Sequence, residues 1–174
     1  MNTFATIKLA QTFKKVTYYT VLLEDHDHSE FEKFILKHAS DSKIHNEYND
    51  LMALLQRIGD EIGALPRYFT RNERNAEALP PEWDQLLPNE RRLHVKYHHN
   101  LRLYCMRISN EVVFLFNGGV KTPGPITAEE CAVVRKYFRM ANTLAIRISE
   151  AQREGQLKFE GTKIIVEKDF ELIL

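Results

Sequence analysis

Scarcity narrows this chain first. Only two cysteines occur, Cys105 and Cys131, and both stand at apolar positions of expected elements, so they read as small core hydrophobes and no disulfide framework is expected. Seven glycines and six prolines are too few for a fibrous or low-complexity chain, and a hydrophobic share of 44% argues against disorder. No apolar run approaches the roughly 18 residues that a membrane helix needs, and the first residues hold no apolar stretch of signal-peptide length. A soluble, cytoplasmic protein without membrane attachment is expected. Lysine plus arginine equals aspartate plus glutamate at 24 each, so no net field draws the whole molecule to nucleic acid and DNA binding by the chain alone is not expected. There is no phosphate-cradling glycine loop and no nucleophile elbow. No cofactor is expected either.

At 174 residues the chain is long enough to bury a core without staples, and one domain over residues 1–174 is expected. The stretch around which it is organised is 101–122, LRLYCMRISNEVVFLFNGGVKT. Leu101, Leu103 and Cys105 alternate with Arg102, Tyr104 and Met106, the period-2 pattern of a strand with one buried face. Ser109-Asn110-Glu111 makes a turn, and the apolar run 112–116 then gives a strand over 112–117 that reads as buried on both faces. Gly118 and Gly119 end that strand and deliver Lys121 to the edge of the sheet. If Leu101 and Leu103 fill the core, Arg102 emerges on the open face, in one groove with Lys121.

The flanks give the rest of the fold class. Residues 3–9 read as a strand or a loose arm, and 13–23, rich in aromatic and β-branched residues, as the first strand of the main sheet. Ser29 and Glu32 form a capping box for a helix over 29–38. Ile44, Tyr48, Leu51, Leu55, Ile58 and Ile62 recur at helical spacing, giving a second helix over 43–62 that Gly63 ends. Residues 66–90, with Pro80, Pro81 and Pro88, read as an insertion loop wrapped over the core by Tyr68, Phe69 and Trp83. A further strand is expected over 93–98. Thr127 and Glu130 cap a long helix with Cys131, Val134, Phe138, Ala141, Ala145 and Ile148 as its stripe, and a hairpin over 157–167 closes the chain. The fold class is α+β: a small, mostly antiparallel sheet of four or five strands, with two N-terminal helices on one face, a long C-terminal helix and a terminal hairpin.

The 101–122 stretch resembles the core of the RelE/HigB-like toxin superfamily, specifically its phage-derived HigB-like branch. Arg102 matches that family's first-strand arginine, and Lys121-Thr122 matches the lysine-threonine element that follows the second strand. The order strand, helix, helix, loop, three strands, helix matches as well, over roughly residues 13–150. This resemblance implies a ribosome-associated, metal-independent endoribonuclease that cleaves mRNA and is neutralised by a helix-turn-helix antitoxin protein.

Cleavage by attack of a 2′-hydroxyl on the adjacent phosphate needs a base, cations over the developing charge, and an acid for the leaving oxygen. Arg102 and Lys121 suit charge stabilisation, and His98, His99 or Tyr104 proton transfer. Arg91, Arg92, Lys96 and Arg107 belong to a 17-residue stretch without carboxylates that suits contact with RNA or the ribosome. No metal site is expected, because His94, His98 and His99 have no cysteine nearby and neighbouring strand positions face opposite ways. A second reading from another class is a non-catalytic module of the same fold that holds a protein partner.

Overall fold

Aromatic and β-branched residues build the centre of the sheet. In β2 (Thr17–Leu23) every residue except Leu22 is buried, because layers of helix cover both faces. The structure is a computed structural model that describes residues 3–82, 86, 88–91, 101–124 and 126–174. Residues 3–9, left between strand and arm by the sequence, belong to a strand. β1 (Phe4–Thr12) pairs antiparallel with β2 from Ala5↔Leu23 to Thr12↔Thr17. It precedes the strand expected to come first, and residues 13–16 form the turn, with Phe13 N donating to Val16 O at 2.9 Å.

Two helices follow. α1 (Glu30–His38) starts at the expected capping box: Glu32 N donates to Ser29 Oγ at 3.3 Å and Ser29 N to Glu32 Oε2 at 2.7 Å. α2 (His45–Arg57) carries the expected stripe, with Tyr48, Leu51 and Leu55 buried, and runs into a wider turn over Ile58–Ile62 that Gly63 closes at φ +92. Both helices pack against the face formed by Tyr18, Leu101, Leu103, Cys105, Val113 and Leu115. They share one face as expected, although two strands come before them.

The segment 66–90, expected as an insertion loop, is largely part of the fold. It contains a 3-10 turn (Pro66–Tyr68), β3 (Asn72–Glu73), β4 (Ala76–Leu79) and the short helix α3 (Pro88–Arg91). β4 pairs with β5 (Leu101–Arg107) through Glu77↔Cys105, Ala78↔Tyr104 and Leu79↔Leu103. Four residues including two alanines carry almost no strand propensity, so only the waiting edge of β5 makes this a strand. The strand expected over 93–98, and Trp83, lie outside the described residues.

β5 and β6 (Val112–Val120) are antiparallel neighbours, as the 101–122 pattern requires. β6 runs through Gly118 and Gly119 instead of ending there, because a Cβ on Gly118 would lie 1.8 Å from the Arg102 carbonyl oxygen and glycine alone permits the pairing. The sheet is larger than the expected four or five strands. Seven described strands stand in the order β3-β4-β5-β6-β2-β1-β9, the last being Leu172–Ile173, all antiparallel except β2 with β6. α4 (Arg135–Arg153) covers the second face, burying Phe138, Ala141, Leu144, Ala145 and Ile148 against Tyr104, Phe114 and Phe116. The expected terminal hairpin is β7 (Leu157–Glu160) with β8 (Lys163–Val166). The chain then returns as β9 (Leu172–Ile173) to pair with Phe4 and Ala5 of β1, which the sequence did not indicate. Among the described residues no helix is long and apolar enough to cross a membrane.

Candidate functional site

The alternation along β5 is as the sequence reads, but its consequence is different. Leu101, Leu103 and Cys105 face α1 and α2, while Arg102, Tyr104 and Met106 face α4. The open face expected for Arg102 does not exist, since α4 lies over it. Arg102 is 8% exposed and Tyr104 0%. Arg102 stands opposite Gly119, where an added Cβ would meet Val134 and Tyr137 at 3.4 Å, and its Nη1 donates to Leu101 O at 3.1 Å.

The second wall comes from the β3–β4 hairpin. Glu73 pairs with Ala76 and Ala78 with Tyr104, so Glu73 shares the α4 face with Arg102 and Tyr104, and the alanines between them add little bulk. Asn142 of α4 fixes the hairpin: its Oδ1 accepts from Asn75 N at 2.7 Å and Ala76 N at 3.3 Å, and its Nδ2 donates to Phe138 O at 2.9 Å. Arg71, just before β3, donates from Nε to Pro80 O at 3.0 Å.

These side chains lie within one electrostatic field. Burial raises the Glu73 carboxyl above its usual range, against the opposing pull of Arg102, Arg71 and Lys121. Arg102 is brought down to about 10, by burial first and then by Arg71, with Glu73, Tyr104 and Glu82 pulling the other way. It remains a cation at neutral pH. Burial lowers Arg71 as well, against Glu82 and Glu73. Burial and then Glu73 push the Tyr104 hydroxyl up, so it stays protonated as a donor, and among the described residues it has no hydrogen-bond partner. Lys121, half-buried just past β6, completes the cluster.

Arg102 and Lys121, expected in one groove, and Tyr104 all share the field of Glu73. Arg71 and Glu73 join them from a segment read as loop; the one trace of them was the polar quartet Arg71-Asn72-Glu73-Arg74. Arg107, grouped with the RNA-contacting residues, sits elsewhere. It is on the α2 side of β5, donating from Nε to Ala64 O at 2.6 Å and from an Nη to Asn110 Oδ1 at 2.6 Å, and so ties the end of α2 to the β5–β6 turn. Arg91 closes α3, while Arg92, Lys96, His98 and His99 lie outside the described residues. Among the described residues no group of three or more His, Cys, Asp or Glu side chains gathers where a metal ion could be held.

Three cations, a carboxyl with a raised pKa and an unpaired hydroxyl donor form a site suited to a phosphate ester. Arginine offers two parallel donors and lysine a point charge, and a carboxyl raised above its usual range is the group of the cluster suited to accept a proton. No family model matches the chain, and neither a curated protein nor a solved structure matches it significantly.

Proposed function

We propose that this chain is a metal-independent endoribonuclease of the RelE/HigB-like toxin type, cleaving mRNA at the ribosome in the cytoplasm and neutralised by a helix-turn-helix antitoxin protein. The observation that carries the reading is that Glu73, Arg102 and Tyr104 share one face of the sheet through the β3–β4–β5 pairing, where Arg102, Arg71 and Lys121 act electrostatically on Glu73. The resemblance of 101–122 to that family supports it, as does the antiparallel pairing of β5 with β6 over that stretch.

In this mechanism Glu73 accepts the proton of the attacking 2′-hydroxyl, which its raised pKa suits. Arg102 and Lys121 hold the non-bridging phosphate oxygens as charge builds on them, with Arg71 beside them. His98 or His99 supplies the proton for the leaving 5′-oxygen.

The test is cleavage of a defined mRNA by the purified chain, alone and with translating ribosomes. Arg102→Ala and Glu73→Gln should each slow cleavage by about 10²–10³, the loss expected for one transition-state donor or one proton-transfer group. No cleavage under either condition, with a helix-turn-helix partner still bound by wild type and both variants, would leave the non-catalytic module as the function.

A further inference from the structure

α1 and α4 cover opposite faces of the sheet, yet their side chains meet. β2 pairs with β6 only from Thr17↔Val112 to Tyr19↔Phe114, and α1 packs against the part of β6 that β2 leaves free. Beside Gly119 in that part, Lys37 of α1 donates from Nζ to the Tyr137 hydroxyl of α4 at 2.8 Å, its ammonium 4.4 Å from the centre of the ring. Lys136 brings its own Nζ to 4.9 Å from the same centre. Both lysines are exposed and Tyr137 is half-buried.

Two like charges over one ring repel each other, and an anion between them removes that cost. Among the described residues no carboxylate stands within ion-pair distance of either lysine. Burial pushes the Tyr137 hydroxyl up, but Lys37 and then Lys136 outweigh it and bring it below the ordinary tyrosine value. With its oxygen accepting from Lys37, the hydroxyl has its O–H left to donate, and the Lys37 ammonium has two further N–H groups.

The position of this group relative to Arg102 follows from strand pairing. Arg102 and Gly119 are partners across β5 and β6, so their side-chain positions project from the same face. A Cβ at Gly119 would lie 3.4 Å from Tyr137 Cε2 and 3.6 Å from Lys37 Nζ, which puts that ammonium within roughly 9 Å of the Arg102 Cβ. Lys121 follows Gly119 by two residues, and its charge acts on Glu73 of the cluster.

We propose that Lys37, Lys136 and the Tyr137 hydroxyl form a second phosphate subsite, which holds the backbone phosphate next along the RNA strand from the one at Arg102 and Lys121. The inference rests on the endoribonuclease reading and adds to it the direction in which the strand leaves the cluster, toward the junction of α1 and α4. Lysine suits such a site as a point charge with freely turning donors. Phosphate contacts fix register and carry no base information, so the subsite positions the strand whatever its sequence.

Nucleoside phosphates test the subsite without any cleavage. Ribonucleoside 3′-monophosphates, 5′-monophosphates and 3′,5′-bisphosphates are titrated into the full chain at low salt and followed by calorimetry. A bisphosphate spans both sites, so wild type should bind it about ten-fold more tightly than either monophosphate, the gain expected from one further hydrogen bond to a charged group. Lys37→Ala combined with Lys136→Ala should bring that ratio to about one, and Tyr137→Phe should lower it several-fold. Lys8→Ala combined with Lys168→Ala removes the same charge from exposed positions on β1 and before β9, and should leave the ratio at its wild-type value. An unchanged thermal unfolding temperature reports that each variant is folded. A wild-type ratio near one, a ratio that survives in the Lys37–Lys136 variant, an equal fall in the Lys8–Lys168 variant, or no binding of any probe overturns the subsite; RNA cleavage that depends on Arg102 and Glu73 would still uphold the nuclease. A ten-fold ratio lost in the Lys37–Lys136 variant, in a chain that cleaves no RNA, upholds the subsite and removes the nuclease.

Discussion

Arg102 and Arg107 are separated on one strand by an odd number of positions, so they serve opposite faces of the sheet. Arg107 is a structural tie, and Arg107→Ala should cost roughly 1.5–3 kcal/mol, the range for hydrogen bonds from a charged donor, while leaving the rate of RNA cleavage unchanged. Urea denaturation beside single-turnover cleavage tests this; a cleavage loss as large as that of Arg102→Ala would place Arg107 in the site. Glu73 gives a pH signature. Its folded-state pKa is raised by burial, so its contribution to stability is full below the ordinary glutamate value of roughly 4.3 and is lost as pH rises through the raised value. Glu73→Gln should flatten part of that decline in denaturation runs from pH 4 to 8. Glu77, raised for the same reason, keeps the remainder. A steeper decline in the variant would contradict this. Of the clustered residues, the sequence marks Arg102 and Tyr104 because they sit on a strongly patterned strand, and Lys121 because it follows one. Arg71 and Glu73 went unmarked, because their place depends on a hairpin too short to leave a period.

Among the elements, α2 was the most legible, since a stripe at spacings of three and four needs only one apolar surface to face. Leu55, 4% exposed, should lose roughly 2–5 kcal/mol as Leu55→Ala, whereas Leu36, 62% exposed on α1, should stay within about 0.5 kcal/mol as Leu36→Ala. A denaturant midpoint for Leu55→Ala close to that of wild type would mean that the α2 stripe is not packed. The β5–β6 pair makes a sharper demand. Gly118→Ala sets a Cβ 1.8 Å from the Arg102 carbonyl oxygen and must part the strands, costing roughly 1–3 kcal/mol, while Gly119→Ala meets Val134 and Tyr137 at 3.4 Å and Lys37 Nζ at 3.6 Å and should cost less. Thermal unfolding of the two variants side by side tests the order. α4 starts at Arg135, and its start was misread because a capping box and an apolar stripe signal a helix from Thr127; the hold of the Arg135 side chain on the Glu129 and Glu130 carbonyls is a tertiary detail with no such pattern.

For the whole molecule, charge balance makes attraction to RNA a local matter. With Arg71, Arg102 and Lys121, joined by Lys37 and Lys136, as the phosphate-facing cations, log K for single-stranded RNA against log salt should fall with a slope of about −3.5, and Lys121→Ala should reduce the slope by about 0.7. Fluorescence anisotropy over a salt series measures it, and a slope steeper than about −5 would show that basic residues outside these five carry the binding. The sequence by itself determined the 101–122 hairpin, α1 with its cap, the α2 and α4 stripes and the terminal hairpin, because strand and helix periods and capping chemistry are set within a few residues along the chain. Tertiary structure alone decided that β2 pairs parallel with β6, that β4 and β9 extend the sheet, and that α4 closes the face on which Arg102 was expected to stand open. Those outcomes depend on which surfaces meet across long separations. A period of two states that a strand has two faces; only packing decides whether the second one meets water or a helix.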